Sequence, residues 1–174
     1  MTSLVVYESM FGATKAVAEA IGEGLAAAGP VRVVEVGALA AAPDGDVVPT
    51  DVTLLVVGGP THAFGMTRAS TRADAAKELG PVISATIGVR EWLERVTVPD
   101  GVGCAAFDTK VLRPNLPGSA GKGIDKHLRR LGGRPVTRPR TFTVHGKSDG
   151  LVEGQVDQAR AWGAELGDAL TTTG

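Results

Sequence analysis

The sequence predicts an α/β fold: one doubly wound domain over residues 1–174, with five parallel strands and helices on both faces of the sheet. Three observations predict it. Short apolar, β-branched runs recur five times, over residues 4–7, 31–36, 51–58, 102–107 and 136–144, each of strand rather than helix length. Helix-like stretches separate consecutive runs, the alternation that builds a parallel sheet. The 174 residues are 43% hydrophobic and 21% charged, ordinary for one globular domain with a full core, and no repeat or low-complexity linker divides them.

Taken in order, residues 4–7 read as a buried strand and residues 16–25 as a helix that Gly29-Pro30 stops. Residues 31–36 form the second strand and 38–42 a short helical turn; Pro43-Asp44-Gly45 and Pro49-Thr50-Asp51 punctuate the loop that follows. Residues 51–58 give the clearest strand, continuous and bounded by Asp51 and Gly58. The polar stretch 68–79 reads as partly irregular. Val89, Trp92, Leu93 and Val96 put one apolar stripe on a short helix over 89–96, taken as core. A loop over 108–118, with Pro114, Asn115 and Pro117, follows the fourth strand. Ser119 caps a helix over 120–131 that Gly132-Gly133 ends. Pro135 and Pro139 put the last strand, 136–144, at a sheet edge, because proline cannot donate to a ladder. Asp149-Gly150 turns the chain into a terminal helix over 152–170 with Trp162 on its apolar stripe, and 171–174 form a frayed end.

Composition excludes several classes. The single cysteine, Cys104, permits no internal disulfide and no cysteine cluster for a metal, and its apolar surroundings read as strand core. No apolar run reaches the roughly 18 residues needed to span a bilayer, and no basic segment precedes an apolar one at the N-terminus, so the reading is cytoplasmic with no membrane partner. A net charge of −1 argues against a strong global field for nucleic acid. No metal-binding set, carboxylate pair or Ser-His-Asp order stands out.

The chemistry gathers around Ser9-Met10-Phe11-Gly12-Ala13-Thr14, between the first strand and the first helix. Strand, hydroxyl-bearing turn and helix make an anion site, since the first N–H groups of a helix have no internal partner and the helix dipole adds positive charge there. Ser9 and Thr14 add side-chain donors, and Gly12 lets the backbone close on a bound group. The alternative is that Ser9 and Thr14 only cap the helix. The run is neither a Walker A motif nor the three-glycine dinucleotide fingerprint.

This run resembles the phosphate loop of flavodoxins (Ser/Thr, any, Thr, Gly, any, Thr), with Phe11 in place of the internal threonine. It resembles more closely the flavodoxin domains of flavodiiron proteins and the flavoprotein quinone reductases. The resemblance implies strand order 2-1-3-4-5, with FMN at the switch point between strands one and three. It also implies that Ser9, Met10, Phe11, Gly12, Ala13 and Thr14 hold the phosphate. Gly58-Gly59-Pro60-Thr61-His62 resembles the flavin-contacting Gly-x-x-Thr-Trp run, with His62 at the tryptophan position. Gly59, Pro60, Thr61, His62 and Phe64 would then frame the ring, together with Asp108, Thr109 and Lys110 of the third loop. His62 reads either as a proton donor to a bound substrate or as a loop histidine that packs on the ring edge.

The third loop departs from the family pattern. No tyrosine follows Tyr7 anywhere in the chain, so an aromatic stack on that side is missing and the ring face is open to a substrate. Residues 110–140 are basic, a patch for an acidic partner, a phosphorylated cosubstrate or nucleic acid, or else a solvated face; the lack of interleaved aromatics speaks against nucleic acid. The expected function is an FMN-binding redox protein that passes electrons to a redox partner protein or reduces a small acceptor such as a quinone, with NAD(P)H as donor if it is an oxidoreductase in its own right. The alternative is a flavodoxin-like binding or regulatory domain that does not retain flavin.

Overall fold

The computed structural model describes residues 1–113 and 117–172. Pro114 and Asn115 of the expected third loop, and the last two residues of the expected frayed end, lie outside the described residues.

Five parallel positions build the sheet. Strand β1 (Thr2–Tyr7) lies between β2 (Val31–Glu35) and β3 (Val52–His62), and β5 (Gly103–Val111) pairs on the far side of β3. The outer position is shared by two short pieces, β6 (Arg134–Pro135) and β7 (Arg140–Val144), both parallel to β5. The order β2-β1-β3-β5-β6 is the expected 2-1-3-4-5 once the small hairpin strand β4 (Gly65–Met66) is set aside. The expected continuous last strand over 136–144 is corrected: pairing lapses around Pro139, which has no N–H for the ladder, although the Val136 N–H still reaches the Cys104 carbonyl at 2.9 Å.

Alternation along the strands divides the core in two. Val5, Tyr7, Leu54, Val56 and Phe107 face α1 (Ala13–Leu25) and α6 (Gln155–Thr171). There Phe107, Phe142 and Trp162 form an edge-to-face trio with ring centroids 6.1 to 6.4 Å apart. Leu4, Val6, Leu55, Val57 and Ala106 face α2 (Val36–Ala40), α4 (Val89–Leu93) and α5 (Ala120–Arg130). Trp92 of α4 is fully buried there and its indole N–H donates to the Gly45 carbonyl at 2.9 Å.

Three segments differ from expectation. The stretch read as irregular is a helix, α3 (Ala69–Leu79); alanine-rich composition favours it, and the buried Arg72 ties it to the sheet. The run from Gly59 to His62 is strand rather than loop, because β3 keeps pairing with β5 through Pro60↔Thr109. For the same reason Asp108, Thr109 and Lys110 are strand, not loop: β7 pairs with β5 out to Val111↔Val144. The β5 ladder overrides the local turn signal of Gly-Gly-Pro.

Candidate functional site

The turn after β1 is held from several directions. Gly12 stands in the left-handed region (φ 105°), a conformation that favours glycine, and lets the chain enter α1 at Ala13. The fully buried Ser9 hydroxyl accepts from the N–H groups of Gly12 (3.1 Å) and Lys15 (3.3 Å), so it caps the helix. The Thr14 and Thr109 hydroxyls meet at 2.7 Å, joining α1 to β5. A segment that sequence reasoning passed over braces the outer side: Ile83 and Ser84 N–H donate to the Met10 and Ser9 carbonyls, and the Ser84 hydroxyl accepts from Ser9 N–H and donates to Glu35. Nothing in its local sequence marks it.

The second wall is the hairpin of β3 and β4. Its pairs are Thr61↔Met66 and His62↔Gly65, and its two turn residues, Ala63 (φ 43°) and Phe64 (φ 74°), both have positive φ, the geometry of a two-residue hairpin turn. Phe64 sits at the tip, 62% exposed.

Asp108 is fully buried and its carboxylate is turned away from the cleft. Its Oδ2 accepts from the hydroxyls of Thr61 (2.9 Å) and Ser119 (2.6 Å) and from Gly121 N–H (2.9 Å). Ala120 N–H donates in turn to the Thr61 hydroxyl at 2.9 Å. This cluster caps α5 and fastens the hairpin to it. A negative side chain at a helix N-terminus is electrostatically favoured.

Of the fourteen expected site residues, Ser9, Met10, Phe11, Ala13, Thr14, Pro60, Thr61, His62 and Thr109 line one cleft of about 80 Å³ at the carboxyl ends of β1, β3 and β5. Gly12, Gly59, Phe64, Asp108 and Lys110 are not among its lining; Lys110 Nζ donates to the Gly118 carbonyl at 2.8 Å. The fourth wall was missed: Val144, Gly146, Lys147, Ser148 and Gly150, in and after β7. The Asp149-Gly150 turn signal and the rule that ligands sit beyond strand carboxyl ends pointed there. An outer groove of about 380 Å³ continues the cleft past Phe11, His62 and Lys147 to Asp74 and Glu78 of α3. Lys147 Nζ bridges to Glu78 at 2.7 Å, joining the loop after β7 to α3.

Burial pushes the His62 imidazole below its usual range, and the positive charges of Lys147 and Arg72 add to that, so it is neutral at pH 7. Beneath the hairpin, burial raises the Glu8 carboxyl above the carboxylate range, against hydrogen bonds from the Thr67 hydroxyl and Val89 N–H and the nearby Arg72. Burial pulls Glu91 the same way, but its hydrogen bonds and charge contact with Arg72 prevail and hold it low. Among the described residues no group of three His, Cys, Asp or Glu is placed to hold a metal ion, and no helix is long and apolar enough to cross a membrane.

No family model matches the sequence, and no curated protein matches it. Solved structures do. A flavodoxin from the domain Archaea superposes with a TM-score of 0.65 at 19% identity, over 98% of this chain and 99% of that one. A flavodoxin, WrbA-like protein from Agrobacterium tumefaciens gives 0.63 at 17%, over 98% of each chain. The flavodiiron core Flv1 from Synechocystis sp. PCC6803 gives 0.62 at 14%, over 100% of this chain but 37% of that one. Agreement over the full length, with the same strand order, makes this chain a flavodoxin-like fold.

Proposed function

We propose that this chain binds FMN at the carboxyl end of its sheet and works as a redox protein. The observation that carries the reading is the turn after β1: a helix N-terminus with Gly12 in the left-handed region and the Ser9 and Thr14 hydroxyls beside it, opening on a cleft between β1, β3 and β5. The residues fit the group. At the phosphate end, the turn from Ser9 to Thr14 offers N–H and hydroxyl donors. At the ring end, the inner cleft alone is too small, but it is continuous with the 380 Å³ groove, within the roughly 300–1,000 Å³ range of small-molecule sites.

In this reading Pro60, Thr61 and His62 wall one side of the ring, Thr109 the base, and Gly146 and Lys147 the outer edge. Gly59, Asp108 and Lys110 support those walls from behind, and Phe64 stands at the tip of the hairpin. Bound FMN supplies single-electron and hydride chemistry. His62, neutral at pH 7, is suited to accept a proton or a hydrogen bond at its ring nitrogen rather than to donate a proton. The open groove supports a small acceptor such as a quinone, or NAD(P)H as donor, reaching the ring directly. A second reading, a flavodoxin-like binding domain without flavin, draws on the Ser9 hydroxyl, which already bonds two of the N–H groups a phosphate would use.

The test is reconstitution with FMN followed by desalting. Absorption retained near about 450 nm, a property of the bound cofactor, supports the first reading; a folded protein that stays colourless supports the second. NAD(P)H oxidation with a quinone and no partner reductase then separates an oxidoreductase from an electron carrier.

A further inference from the structure

Charge is segregated along this chain. Residues 110–140 hold nine basic side chains and one acidic, a net +8; the rest holds nine basic and eighteen acidic, a net −9, which together give the overall −1. The fold places five of the nine on helix α5 and the edge strand β6 beside it. Helix α5 buries Ala120, Ile124 and Leu128 and turns Lys122, Lys126 and Arg130, spaced four apart, to solvent. Arg134 and Arg138 continue the exposed charge along the neighbouring sheet edge. The one acid of residues 110–140, Asp125, is paired with Arg129 at 2.8 Å, and Asp100 lies near Gly132 at the far end. Among the described residues, no ion pair engages Lys122, Lys126, Arg130, Arg134 or Arg138.

The upper end of this face meets the hairpin tip. Gly118 (φ 87°) packs so closely on the hairpin turn that a Cβ there would lie 1.9 Å from the Phe64 carbonyl oxygen. Lys110 ties the same glycine to β5. Phe64 therefore stands beside the start of α5, and it and Leu112, which follows β5, are 62% and 63% exposed. Exposed apolar side chains flanked by charge are the anatomy of a protein interface: an anchor that desolvates and a rim that steers.

We propose that the hairpin tip and the α5 face dock an acidic protein, with Phe64 as the anchor and Lys122, Lys126 and Arg130 as the steering stripe. A protein is favoured over nucleic acid because residues 110–140 carry no Phe, Tyr or Trp, and the single ring of Phe64 at the tip is not the interleaved series on which bases stack. The docking does not require flavin. That the partner exchanges electrons rests on the FMN reading, since His62 and Ala63 of the same hairpin border the groove.

The experiment uses the full chain, with and without FMN, titrated with a plant-type [2Fe–2S] ferredoxin as a small acidic protein, and in parallel with a 20-base-pair DNA duplex and with phosphatidylserine vesicles. Ferredoxin is expected to bind and to weaken as salt is raised, and K122E/K126E/R130E to lower its affinity about tenfold or more at low salt. The charge change Lys77→Glu on α3 is expected to have little effect. Phe64→Ser is expected to weaken binding about tenfold while leaving the salt slope unchanged. Circular dichroism confirms folding, which substitutions of exposed residues leave intact. No ferredoxin binding, equal binding by the triple variant, or tighter binding of the duplex or the vesicles overturns the proposal. Ferredoxin binding that persists without FMN uptake upholds the docking and removes only the electron exchange.

Discussion

Replacing Arg72 by methionine tests the buried network beneath the hairpin. Arg72 is 4% exposed. Its guanidinium donates to both oxygens of Glu91 (2.7 and 3.3 Å) and to the Thr67 hydroxyl (2.9 Å), and lies 3.9 Å from the fully buried Glu8. Removing one partner of a buried ion pair costs about 3–5 kcal/mol. The lower end applies, because Glu91 is 33% exposed and turns to water when released. The Arg72 Nε, already buried without a partner among the described residues, is no loss. An expected cost of about 3 kcal/mol lowers the melting temperature by roughly 6–12 °C in a chain of this size.

The pH dependence fixes the cause. Burial raises the folded-state pKa of Glu8 above its unfolded value, so its contribution is full below the unfolded pKa and is lost as pH rises through the folded one. Without Arg72 that folded pKa rises further. Glu91 is held low in the native protein, so its contribution is present above its unfolded pKa and lost as pH falls through the folded one; the variant forfeits it at neutral pH. Both effects make the deficit grow from about pH 4 to pH 8. Urea unfolding at the two pH values measures it. The double variant Glu8→Gln/Arg72→Met removes charge from both sides, keeps an acceptor for Val89 N–H, and is expected to recover most of the loss. A deficit below about 1 kcal/mol, an equal deficit at both pH values, or a double variant no better than the single one refutes the reasoning.

Other expectations follow from the same geometry. Ser9→Ala and Thr14→Val are each expected to weaken FMN binding about tenfold or more, one charge-assisted hydrogen bond to phosphate, read by quenching of flavin fluorescence. Gly58→Ala sets a Cβ 2.2 Å from the Phe107 ring, an overpacking expected to cost about 1–3 kcal/mol and to change the near-ultraviolet circular dichroism of the aromatic trio. The Cys104 thiol, pushed up to about 11 by burial, is expected to resist a disulfide reagent at pH 8 in native protein and to react at once in urea. A potentiometric titration of the FMN-loaded protein is expected to give a two-electron midpoint within about 30 mV of free FMN, a factor of about ten in relative affinity for the two redox states.

Sheet and turn were legible because each rests on a local pattern. The five apolar runs become β1, β2, β3, β5 and the β6–β7 edge, and the strand–hydroxyl–glycine–helix order of residues 4–25 is the observed order, with Ser9 before α1 and Thr14 in its first turn. Sequence reasoning lost what depends on partners distant in the chain. Gly58-Gly59-Pro60 carries a turn signal, yet pairing of Pro60 with Thr109 keeps it extended. The polarity of α3 hides that Arg72 points inward, since its partners Glu8 and Glu91 are 64 and 19 residues away. The wall from Gly146 to Gly150 shows in the sequence only as the Asp149-Gly150 turn; its small and polar residues carry no binding signature, and the register of β7 on β5 brings them to the cleft.

The same register explains why the site is open. Because β5 continues to Val111, Asp108 falls inside the strand, and its carboxylate reaches Ser119 and Gly121 at the start of α5. Thr61 joins that cluster and draws the hairpin down onto α5, where Gly118 meets the Phe64 backbone. The hairpin and the start of α5 are thus in contact, and space for a flat ring remains toward the outer groove. The charged side chains lining that groove balance: Lys147 is paired with Glu78, and Arg113 and Asp74 add one charge of each sign. A ring bound in that neutral groove would meet no excess charge that discriminates between its oxidised and reduced states, which is the reason for the expected potential close to that of the free cofactor. One carboxylate committed to closing a helix thus leaves the proposed flavin site distinguished by its accessibility rather than by its field.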